Sequence, residues 1–426
     1  MMRIEIPKEV QIILKTLSRA GCEAYIVGGC TRDSILGRTP KDWDVTTSAM
    51  PEQVKALFAR TIDTGIKHGT VTVMIGTEGY EVTTFRVDGE YEDGRHPRNV
   101  TFTRSLEEDL KRRDFTINAM AYNPETGLVD LFGGVEDLKA GMIRCVGDPH
   151  ARFSEDALRV MRAVRFAAQL GFSIEEKTAQ AVRDLAETLN RISAERIRME
   201  LEKLLLSPEP DRIETAYDLG ITRVVLPEYD ALSDREAKTG TYPCARLHTA
   251  ALIRCAAPSR PQRFAALLSY AGPEMAGKVM RRLKFDNTTR ILTERLVRFQ
   301  DFSFENTPAA MRRFLYEAGE DLFPQLVRLR EAQIAAKACG DSSAAWEDLK
   351  QKEMLFREVT ESGQCFSFDR LQVKGDDLIA AGVRPGREMG NLLHSLLEAV
   401  IDDPGLNQKE MLIRMALEKQ QQNGHT

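Results

Sequence analysis

The sequence has little of what marks disulfide-bonded, zinc-binding or membrane proteins. Its 426 residues include seven cysteines and six histidines, all dispersed, with no C-x-x-C pair. An odd number of scattered cysteines favours buried free thiols over disulfides or zinc ligands. No apolar run reaches the length that spans a bilayer, and the amino-terminal segment places charges between helically spaced apolar residues, unlike a signal peptide. We therefore expect a cytoplasmic protein with no membrane partner, and no protein partner is implied.

The composition is that of an ordinary globular protein. Hydrophobic residues make up 42% of the chain, and a chain of this length holds roughly two to four domains, each with its own core. The formal net charge of -5 does not decide whether the protein binds nucleic acid, because such binding depends on local basic surface. The function must therefore be sought in local motifs.

A strand, a glycine turn and a helix are predicted in succession near the amino terminus. The apolar run 24–27 stops at Gly28 and Gly29, and a helix is predicted to come next. Glycines let the backbone approach an anion closely, and the free N–H groups of a helix start can bind a phosphate. Arg32 can add a bidentate contact. A Gly-Gly pair alone is usually only a turn, so the prediction of a phosphate site depends on the residues that come after it in the chain.

Two aspartates lie shortly after this turn in the segment DWDV. We expect a strand over residues 42–45, which projects Asp42 and Asp44 from one face and Trp43 from the other. Two adjacent carboxylates repel unless a cation lies between them, and oxygen ligands favour a hard divalent ion such as Mg²⁺. A lone D-x-D is usually a solvated strand edge or loop. In combination with the glycine turn and Arg32, however, it indicates phosphate and metal chemistry.

GGCTRD followed by DWDVTT resembles the signature of the DNA polymerase β nucleotidyltransferase superfamily. More narrowly, it is similar to the class II tRNA nucleotidyltransferases, which are the CCA-adding enzymes and their bacterial poly(A) polymerase relatives. The resemblance implies a polymerase β-like α/β head with a mixed sheet and helices, followed by an all-helical neck, body and tail. The domains expected from it are a nucleotidyltransferase head at 1–137, a neck with the base-reading helix at 138–207, a body at 208–325 and a tRNA-contacting tail at 326–426.

Three further segments supply candidate residues for the head. A β-hairpin is predicted from VTVMIG and YEVTTFRVD, and the resemblance makes Glu81, on its second strand, the third metal carboxylate beside Asp42 and Asp44. The polar stretch 88–99 is interpreted as a loop, either a plain connector or, as the resemblance implies, an aid to the switch from C to A addition. In the motif RRD the resemblance implies that Arg113 contacts the triphosphate, together with Gly28, Gly29 and Arg32, and that Asp114 accepts a hydrogen bond from the ribose 2′-OH.

The helix predicted over 154–170 carries the candidates for base recognition. Ser154 is expected to cap it and Gly171 to end it. Asp156 and Arg159, spaced i, i+3, are expected to lie side by side, as a simple ion pair or as a site for a base. Cytosine and adenine both present an amine donor next to a ring-nitrogen acceptor, whereas uracil and guanine reverse this polarity. EDALR resembles the EDxxR motif of the family, whose Asp and Arg read the incoming base.

The same motif implies nucleotide contacts for two more arginines. Arg162 and Arg165 continue the spacing of Asp156 and Arg159, but at about 3.6 residues per turn Arg165 points nearly opposite to Asp156. The geometry therefore supports a nucleotide contact for Arg162 better than for Arg165, which can instead serve as a structural anchor. A well-capped helix is predicted at 193–207, resembling the next family motif, which braces the base-reading helix.

The resemblance implies an enzyme that adds or repairs the 3′-terminal CCA of tRNA from CTP and ATP with Mg²⁺ and without a nucleic-acid template. A partial CC- or A-adding enzyme shares nearly every motif, although the loop at 88–99 favours full addition. A poly(A) polymerase would be expected to carry a strongly basic extension, which this sequence lacks. A non-catalytic RNA-binding module is the fourth interpretation, and its expected mark is the loss of a metal carboxylate.

Overall fold

The computed structural model describes residues 3–89, 100–337 and 342–423. They form two compact units, Met1–Ala231 and Leu232–Thr426. Nearly all of the predicted loop at 88–99 lies outside the described residues. The expected boundaries after residues 137, 207 and 325 do not coincide with the division between the units, and they remain predictions.

The first unit is built on a seven-stranded mixed sheet with the strand order β3-β4-β5-β2-β1-β8-β9. Neighbouring strands in it are antiparallel, except that β2 and β5 run parallel with Val45 opposite Val82. Two smaller sheets pair β6 with β7 and β10 with β11. The strands among the described residues are β1 (Ala24–Val27), β2 (Val45–Thr47), β3 (Thr61–Gly65), β4 (Thr70–Ile75), β5 (Glu78–Thr84), β6 (Arg86–Asp88), β7 (Val100–Phe102), β8 (Met120–Asn123), β9 (Gly127–Asp130), β10 (Met142–Ile143) and β11 (Ser173–Ile174).

Helices pack against this sheet and form much of the rest of the first unit. The apolar face of the first helix packs with Ile26 and Val45 in one core cluster, because its apolar residues recur at helical spacing. The helices are α1 (Lys8–Arg19), α2 (Gly29–Ile35), α3 (Pro51–Leu57), α4 (Leu106–Lys111), α5 (Gly134–Ala140), α6 (Pro149–Glu155), α7 (Leu158–Leu170), α8 (Glu176–Leu185), α9 (Ala194–Leu205), α10 (Ile213–Asp218), α11 (Ile221–Val225) and α12 (Pro227–Asp230). The expected mixed α/β head followed by helices is confirmed.

The predicted hairpin is present as β4 and β5. The two strands pair in antiparallel register from Thr70↔Thr83 to Ile75↔Glu78. Along β5 the side chains alternate between the core and the solvent, so that Val82 is buried and Glu81 is exposed. This alternation directs Glu81 away from the core cluster.

The prediction that a strand starts at residue 42 is wrong. β2 begins only at Val45, and the residues before it have no strand conformation. The ladder to β1 ends with the N–H of Val27 donating to the carbonyl of Asp44 at 3.0 Å. Because β1 stops at Val27 and the chain turns away at Gly28, the ladder does not extend to residues 42 and 43. Asp42 and Asp44 therefore lie on the approach to the strand and not on its face.

The prediction of a single helix over 154–170 is also wrong, because two helices, α6 and α7, are separated by a non-helical residue, Asp156. α6 starts earlier, with the Asp148 side chain accepting a hydrogen bond from Ala151 N and Pro149 in the first turn. Asp156 has extended backbone angles, φ −134° and ψ 102°, and its Oδ1 accepts from Leu158 N at 3.0 Å. Ser154 therefore lies inside α6 and does not cap a helix. The predicted end is confirmed, since Gly171 has a left-handed conformation with φ 75°.

The second unit contains only helices among its described residues. Its carboxyl-terminal core is a separate apolar cluster that includes Leu378, Leu396 and Leu412. In the described parts of the chain no helix is both long and apolar enough to cross a bilayer. The helices are α13 (Ala245–Cys255), α14 (Arg260–Leu267), α15 (Pro273–Arg282), α16 (Asn287–Phe299), α17 (Pro308–Ala318), α18 (Phe323–Ala335), α19 (Ser343–Glu361), α20 (Gly375–Ala380), α21 (Arg387–Asp402) and α22 (Lys409–Asn423).

Candidate functional site

The glycine turn between β1 and α2 is crowded by two predicted site residues. Gly28 has φ 78° and ψ −131°, a conformation that residues with a side chain rarely adopt. A Cβ at this position would lie 3.4 Å from Arg113 Nη1 and 4.0 Å from Asp44 Oδ2. The structure therefore brings the turn, the RRD motif and one predicted metal carboxylate together.

Arg32 is turned into the protein. The residue is buried, its Nη1 donates to Asn118 Oδ1 at 2.7 Å, and its Nη2 lies 2.8 Å from Asp33 Oδ1. A Cβ on Gly29 would lie 3.7 Å from Arg32 Nη2, so the guanidinium also borders the turn. Arg32 thus ties the turn to the segment that comes after the RRD motif.

The three predicted carboxylates line one cavity of about 680 Å³, together with Lys41 and Trp43. Val45 of β2 lies opposite Val82 of the parallel strand β5, and Asp44 and Glu81 are the residues that come directly before these two. Asp44 is open to the cavity, yet the pKa of its carboxyl is raised by partial desolvation, then by the negative charge of Glu81 and of Asp42, while Arg113 opposes the rise. The three carboxylates are therefore not fully neutralised by Arg113, and the site has an excess of negative charge.

This imbalance bears on whether the site fits a metal ion. Across residues 3–89, 100–337 and 342–423, no three His, Cys, Asp or Glu side chains are already arranged to hold one. The donor set is nevertheless of the right kind, since carboxylate oxygens are the ligands of hard divalent cations. A cation between Asp42, Asp44 and Glu81 would also relieve their mutual repulsion. These residues therefore fit a divalent metal once their side chains converge.

Asp109 positions both arginines of the RRD motif and is a residue that the sequence reasoning missed. Its side chain is fully buried. Its Oδ1 accepts from Arg112 Nη2 at 2.6 Å and its Oδ2 from Arg113 Nη2 at 3.2 Å and from Thr46 Oγ1 at 3.2 Å. Burial alone would raise the pKa of Asp109, but the Arg113 and Arg112 guanidiniums hold it below its usual value. The i, i+3 and i+4 spacing of this acid on α4 to two arginines just after the helix was the available signal.

Asp114 is the centre of a second polar network. Its Oδ1 accepts from the N–H of Phe115 at 2.9 Å and from Asn118 Nδ2 at 3.1 Å, and its Oδ2 accepts from Arg162 Nε at 2.7 Å and pairs with Arg162 Nη2 at 2.5 Å. Burial opposes the charged form, but Arg162 and then Asn118 hold the pKa of Asp114 far below its usual value. Four donors occupy the roughly four acceptor positions of a carboxylate, so a ribose hydroxyl would have to replace one of them.

The expected side-by-side pair of Asp156 and Arg159 is not formed. Asp156 Oδ2 pairs with Arg196 Nη2 at 2.9 Å. Arg159 Nη1 instead lies 2.7 Å from Glu155 Oε2 and its Nη2 donates to the carbonyl of Arg112 at 3.0 Å. The i, i+3 argument assumed one continuous helix, whereas the backbone of Asp156 is extended and each of the two side chains pairs with another residue. Arg159 is thereby attached to the RRD segment and Asp156 to α9.

Arg165 pairs with α9, the same helix that Asp156 contacts one turn earlier, and the two side chains therefore do not point to opposite sides as predicted. Arg165 Nε pairs with Glu200 Oε2 on α9 at 2.5 Å, and both side chains are buried. Burial lowers the pKa of Arg165 to about 10. The helix that braces α7 is present as α9, but the side chain of Ser193 makes no cap hydrogen bond, so the expectation of a well-capped start is wrong.

One aromatic ring lies among three of the predicted arginines. The guanidinium carbons of Arg32, Arg162 and Arg165 are 5.2, 5.2 and 3.6 Å from the centre of the Phe166 ring. A cation near a buried aromatic face is stabilised by the ring quadrupole. Phe166 therefore helps to hold arginines of α2 and α7 near one another.

Sequence comparison covers most of the chain. A poly A polymerase head domain matches residues 24–144, a probable RNA and SrmB-binding site of polymerase A matches 171–232, and a putative domain 2 of tRNA nucleotidyltransferases matches 257–416. The CCA-adding enzyme of Lactobacillus helveticus is 41% identical over 91% of this chain and 91% of its own. The chain belongs to the CCA-adding enzyme family. Nucleotidyltransferases of this kind generally use a divalent metal.

Other members of the family agree in length and fold. The CCA-adding enzyme of Lactiplantibacillus plantarum is 38% identical over 98% of both chains. The crystal structure of the Bacillus stearothermophilus CCA-adding enzyme in complex with CTP is 32% identical, covers 98% of both chains and superposes with a TM-score of 0.76. The Thermotoga maritima CCA-adding enzyme complexed with tRNA shares the fold, with a TM-score of 0.59 at 22% identity.

Proposed function

We propose that this protein adds or repairs the 3′-terminal CCA of tRNA from CTP and ATP, without a nucleic-acid template and with release of pyrophosphate. The observation that carries the proposal is the convergence of Gly28, Asp44 and Arg113 in a chain that matches CCA-adding enzymes over nearly its whole length. Because tRNA is processed where it is made and used, we place this activity in the cytoplasm.

The proposed metal is Mg²⁺, held by Asp42, Asp44 and Glu81. When bound, it lowers the pKa of the attacking RNA 3′-OH and neutralises charge on the triphosphate. The supporting observation is that these carboxylates line one cavity and repel one another. Their role is to place the cation beside the glycine turn, where Arg113 is already present.

The triphosphate is proposed to lie against the turn formed by Gly28 and Gly29. Arg113 faces this turn and supplies donors to the phosphate oxygens. The buried carboxylate of Asp109 holds the guanidinium of Arg113 in place by accepting a hydrogen bond from its Nη2. The buried Arg32, whose guanidinium borders the turn at Gly29, is proposed to add a contact to the triphosphate while Asn118 anchors it. Phosphate oxygens bind well to such fixed guanidinium groups because the hydrogen bonds are charge-assisted.

The sugar and the base are proposed to be read by residues of the two polar networks. Asp114 accepts a hydrogen bond from the ribose 2′-OH when this hydroxyl replaces one of its present donors, and Arg162, which pairs with Asp114, is proposed to contact the nucleotide beside it. Asp156 accepts from the exocyclic amine of C or A, and Arg159 donates to the ring nitrogen beside it. Arg165 is assigned the structural role of holding α7 on α9 through Glu200.

The test is incubation with a tRNA that lacks its 3′ terminus, with CTP alone, ATP alone and both, followed by sequencing of the ends. We expect addition of CC with CTP alone and of CCA with both, and a tRNA already ending in CC is the control that accepts ATP alone. Arrest after CC, or addition of A only, identifies a partial enzyme. Extension of any RNA by ATP identifies a poly(A) polymerase, and no incorporation refutes the catalytic proposal.

A further inference from the structure

The second unit contains a cavity of about 170 Å³ that none of the predicted nucleotide-binding residues lines. Its walls come from α13, α18, the residues after α14 and α16, and the segment before α13. Its volume is several times the roughly 30 Å³ that one water molecule occupies in the liquid. The lining residues are Lys238, Thr239, His248, Leu252, Ser269, Tyr270, Gln300, Asp301, Arg330, Gln333 and Lys337.

Besides Thr239 Oγ1, three buried side chains of this cavity carry polar atoms that lack hydrogen-bond partners among the described residues. They are His248 Nε2, Ser269 Oγ and Gln300 Oε1, and each residue is only 5% exposed. A buried polar atom without a partner destabilises the protein by about 1–3 kcal/mol, and most such atoms in folded proteins are satisfied. Three in one cavity indicate that a polar ligand completes them.

The hydrogen-bond network determines what His248 offers to this ligand. The N–H of Lys238 donates to Tyr270 Oη at 2.7 Å, and Tyr270 Oη lies 2.6 Å from His248 Nδ1. When the tyrosine hydroxyl donates its hydrogen to Nδ1, the proton of a neutral imidazole lies on Nε2, and this is the tautomer that the proposal uses. His248 thus presents an N–H donor, and Ser269 presents a hydroxyl that can also donate.

The charge of the lining favours an anion. Three cationic side chains, Lys238, Arg330 and Lys337, stand against one carboxylate, Asp301. That carboxylate is already paired with Lys238 Nζ at 2.6 Å. Gln300 Nε2 donates to the carbonyl of Ser269 at 2.7 Å, which leaves its Oε1 as one acceptor among several donors. An anion with several oxygens and a single hydroxyl hydrogen matches this pattern.

We propose that this cavity binds a phosphate group. His248, Ser269, Arg330 and Lys337 donate to its oxygens, and Gln300 accepts from a protonated oxygen or from an adjacent sugar hydroxyl. The phosphate group can belong to a free phosphate anion or to a phosphodiester of an RNA backbone, because both present the same tetrahedral oxygens.

The test uses the full-length protein and inorganic phosphate as the probe. Binding is measured by isothermal titration calorimetry for the wild type, Ser269→Ala and Lys337→Gln, with Lys278→Gln as the matched control, an exposed lysine of α15 outside the cavity. Each lining variant is expected to weaken binding by on the order of tenfold, the effect of losing one hydrogen bond to a charged group, and the control to leave it unchanged. Ser269→Ala removes an unpaired hydroxyl, so it is expected not to lower the melting temperature in phosphate-free buffer.

A second arm separates the two sources. For an RNA phosphodiester, Lys337→Gln and Ser269→Ala raise KM for truncated tRNA but not for CTP, and Lys337→Gln reduces the slope of log affinity against log salt by about one. For a free anion, the tRNA parameters stay unchanged while phosphate binding is weakened in both variants. No phosphate binding at millimolar concentration, with unchanged tRNA parameters in both variants, overturns the proposal. The calorimetric arm needs no turnover, so it remains decisive even if CCA addition is not observed.

Discussion

Replacing Asp109 by Asn tests whether a single buried carboxylate organises the RRD motif. Its side chain is fully buried, and those of its partners Arg112 and Arg113 are only 15% and 19% exposed. Breaking a buried pair by removing one partner costs about 3–5 kcal/mol. Because both arginines retain some solvent, we expect Asp109→Asn to lower the free energy of unfolding by an amount near the lower end, about 3 kcal/mol.

The matched control is Asp63→Asn. Asp63 lies 2.8 Å from Lys55 Nζ, but these side chains are 45% and 39% exposed. An exposed pair of this kind contributes about 0–1 kcal/mol. Both variants are compared with the wild type by urea unfolding monitored by circular dichroism, and incorporation of CTP into truncated tRNA is measured under native conditions. Asp109→Asn is also expected to raise KM for CTP, because Arg113 loses the group that fixes its guanidinium.

Asp109→Asn is also expected to change how the free energy of unfolding depends on pH in the acidic range. The folded-state pKa of Asp109 is lowered, so its contribution to stability is fully present above the unfolded value of about 3.9 and is lost as the pH falls through the folded value. The variant should therefore lose less stability than the wild type over this acidic range. A destabilisation no larger than that of Asp63→Asn, together with an unchanged KM for CTP, would refute the assignment of Asp109 as the residue that positions Arg113.

Three further substitutions test the nucleotide site. Asp42→Ala is expected to abolish incorporation while tRNA binding, measured by filter retention, persists; substantial residual transfer would remove Asp42 from the metal site. Asp156→Ala is expected to loosen selection against UTP in competition assays, and unchanged selectivity would contradict base reading by this residue. Gly28→Ala is expected to raise KM for CTP more than Gly37→Ala, since both have positive φ but only Gly28 has Arg113 and Asp44 near the added Cβ; equal effects would mean that backbone strain alone is responsible.

The head of the molecule can be predicted in large part from local sequence signals. The glycine turn and the β4–β5 hairpin depend on nearest-neighbour chemistry and strict alternation, which a sequence shows directly. Asp109 was within reach of the same reasoning, because its spacing to Arg112 and Arg113 is helical. It was missed because a charged run is usually solvated, and only the structure shows that this acid is buried.

The two wrong predictions, the start of β2 and the continuous helix through Asp156, depend on contacts with residues far away in the sequence. The start of β2 is set by where β1 ends, which is a property of another segment. The break at Asp156 is stabilised by Arg196, forty residues further along the chain, and no local pattern contains that contact. Asp148 and Pro149 did signal an earlier helix start, but the EDALR spacing suggested a continuous helix. Local patterns thus predicted the elements, while the pairing of side chains between elements decided the details of the site.

The parallel pairing of β2 with β5 has a consequence for the order of folding. Asp44 and Glu81 become neighbours only when β5 docks beside β2, after α3, β3 and β4 have formed the crossover between them. Such non-local pairing must first overcome the entropy of closing the connection. The glycine turn and α2 are local and form without it. We therefore expect refolding protein to gain helix and hairpin signals before the two carboxylates meet, so that catalytic competence is acquired late, with the completed sheet.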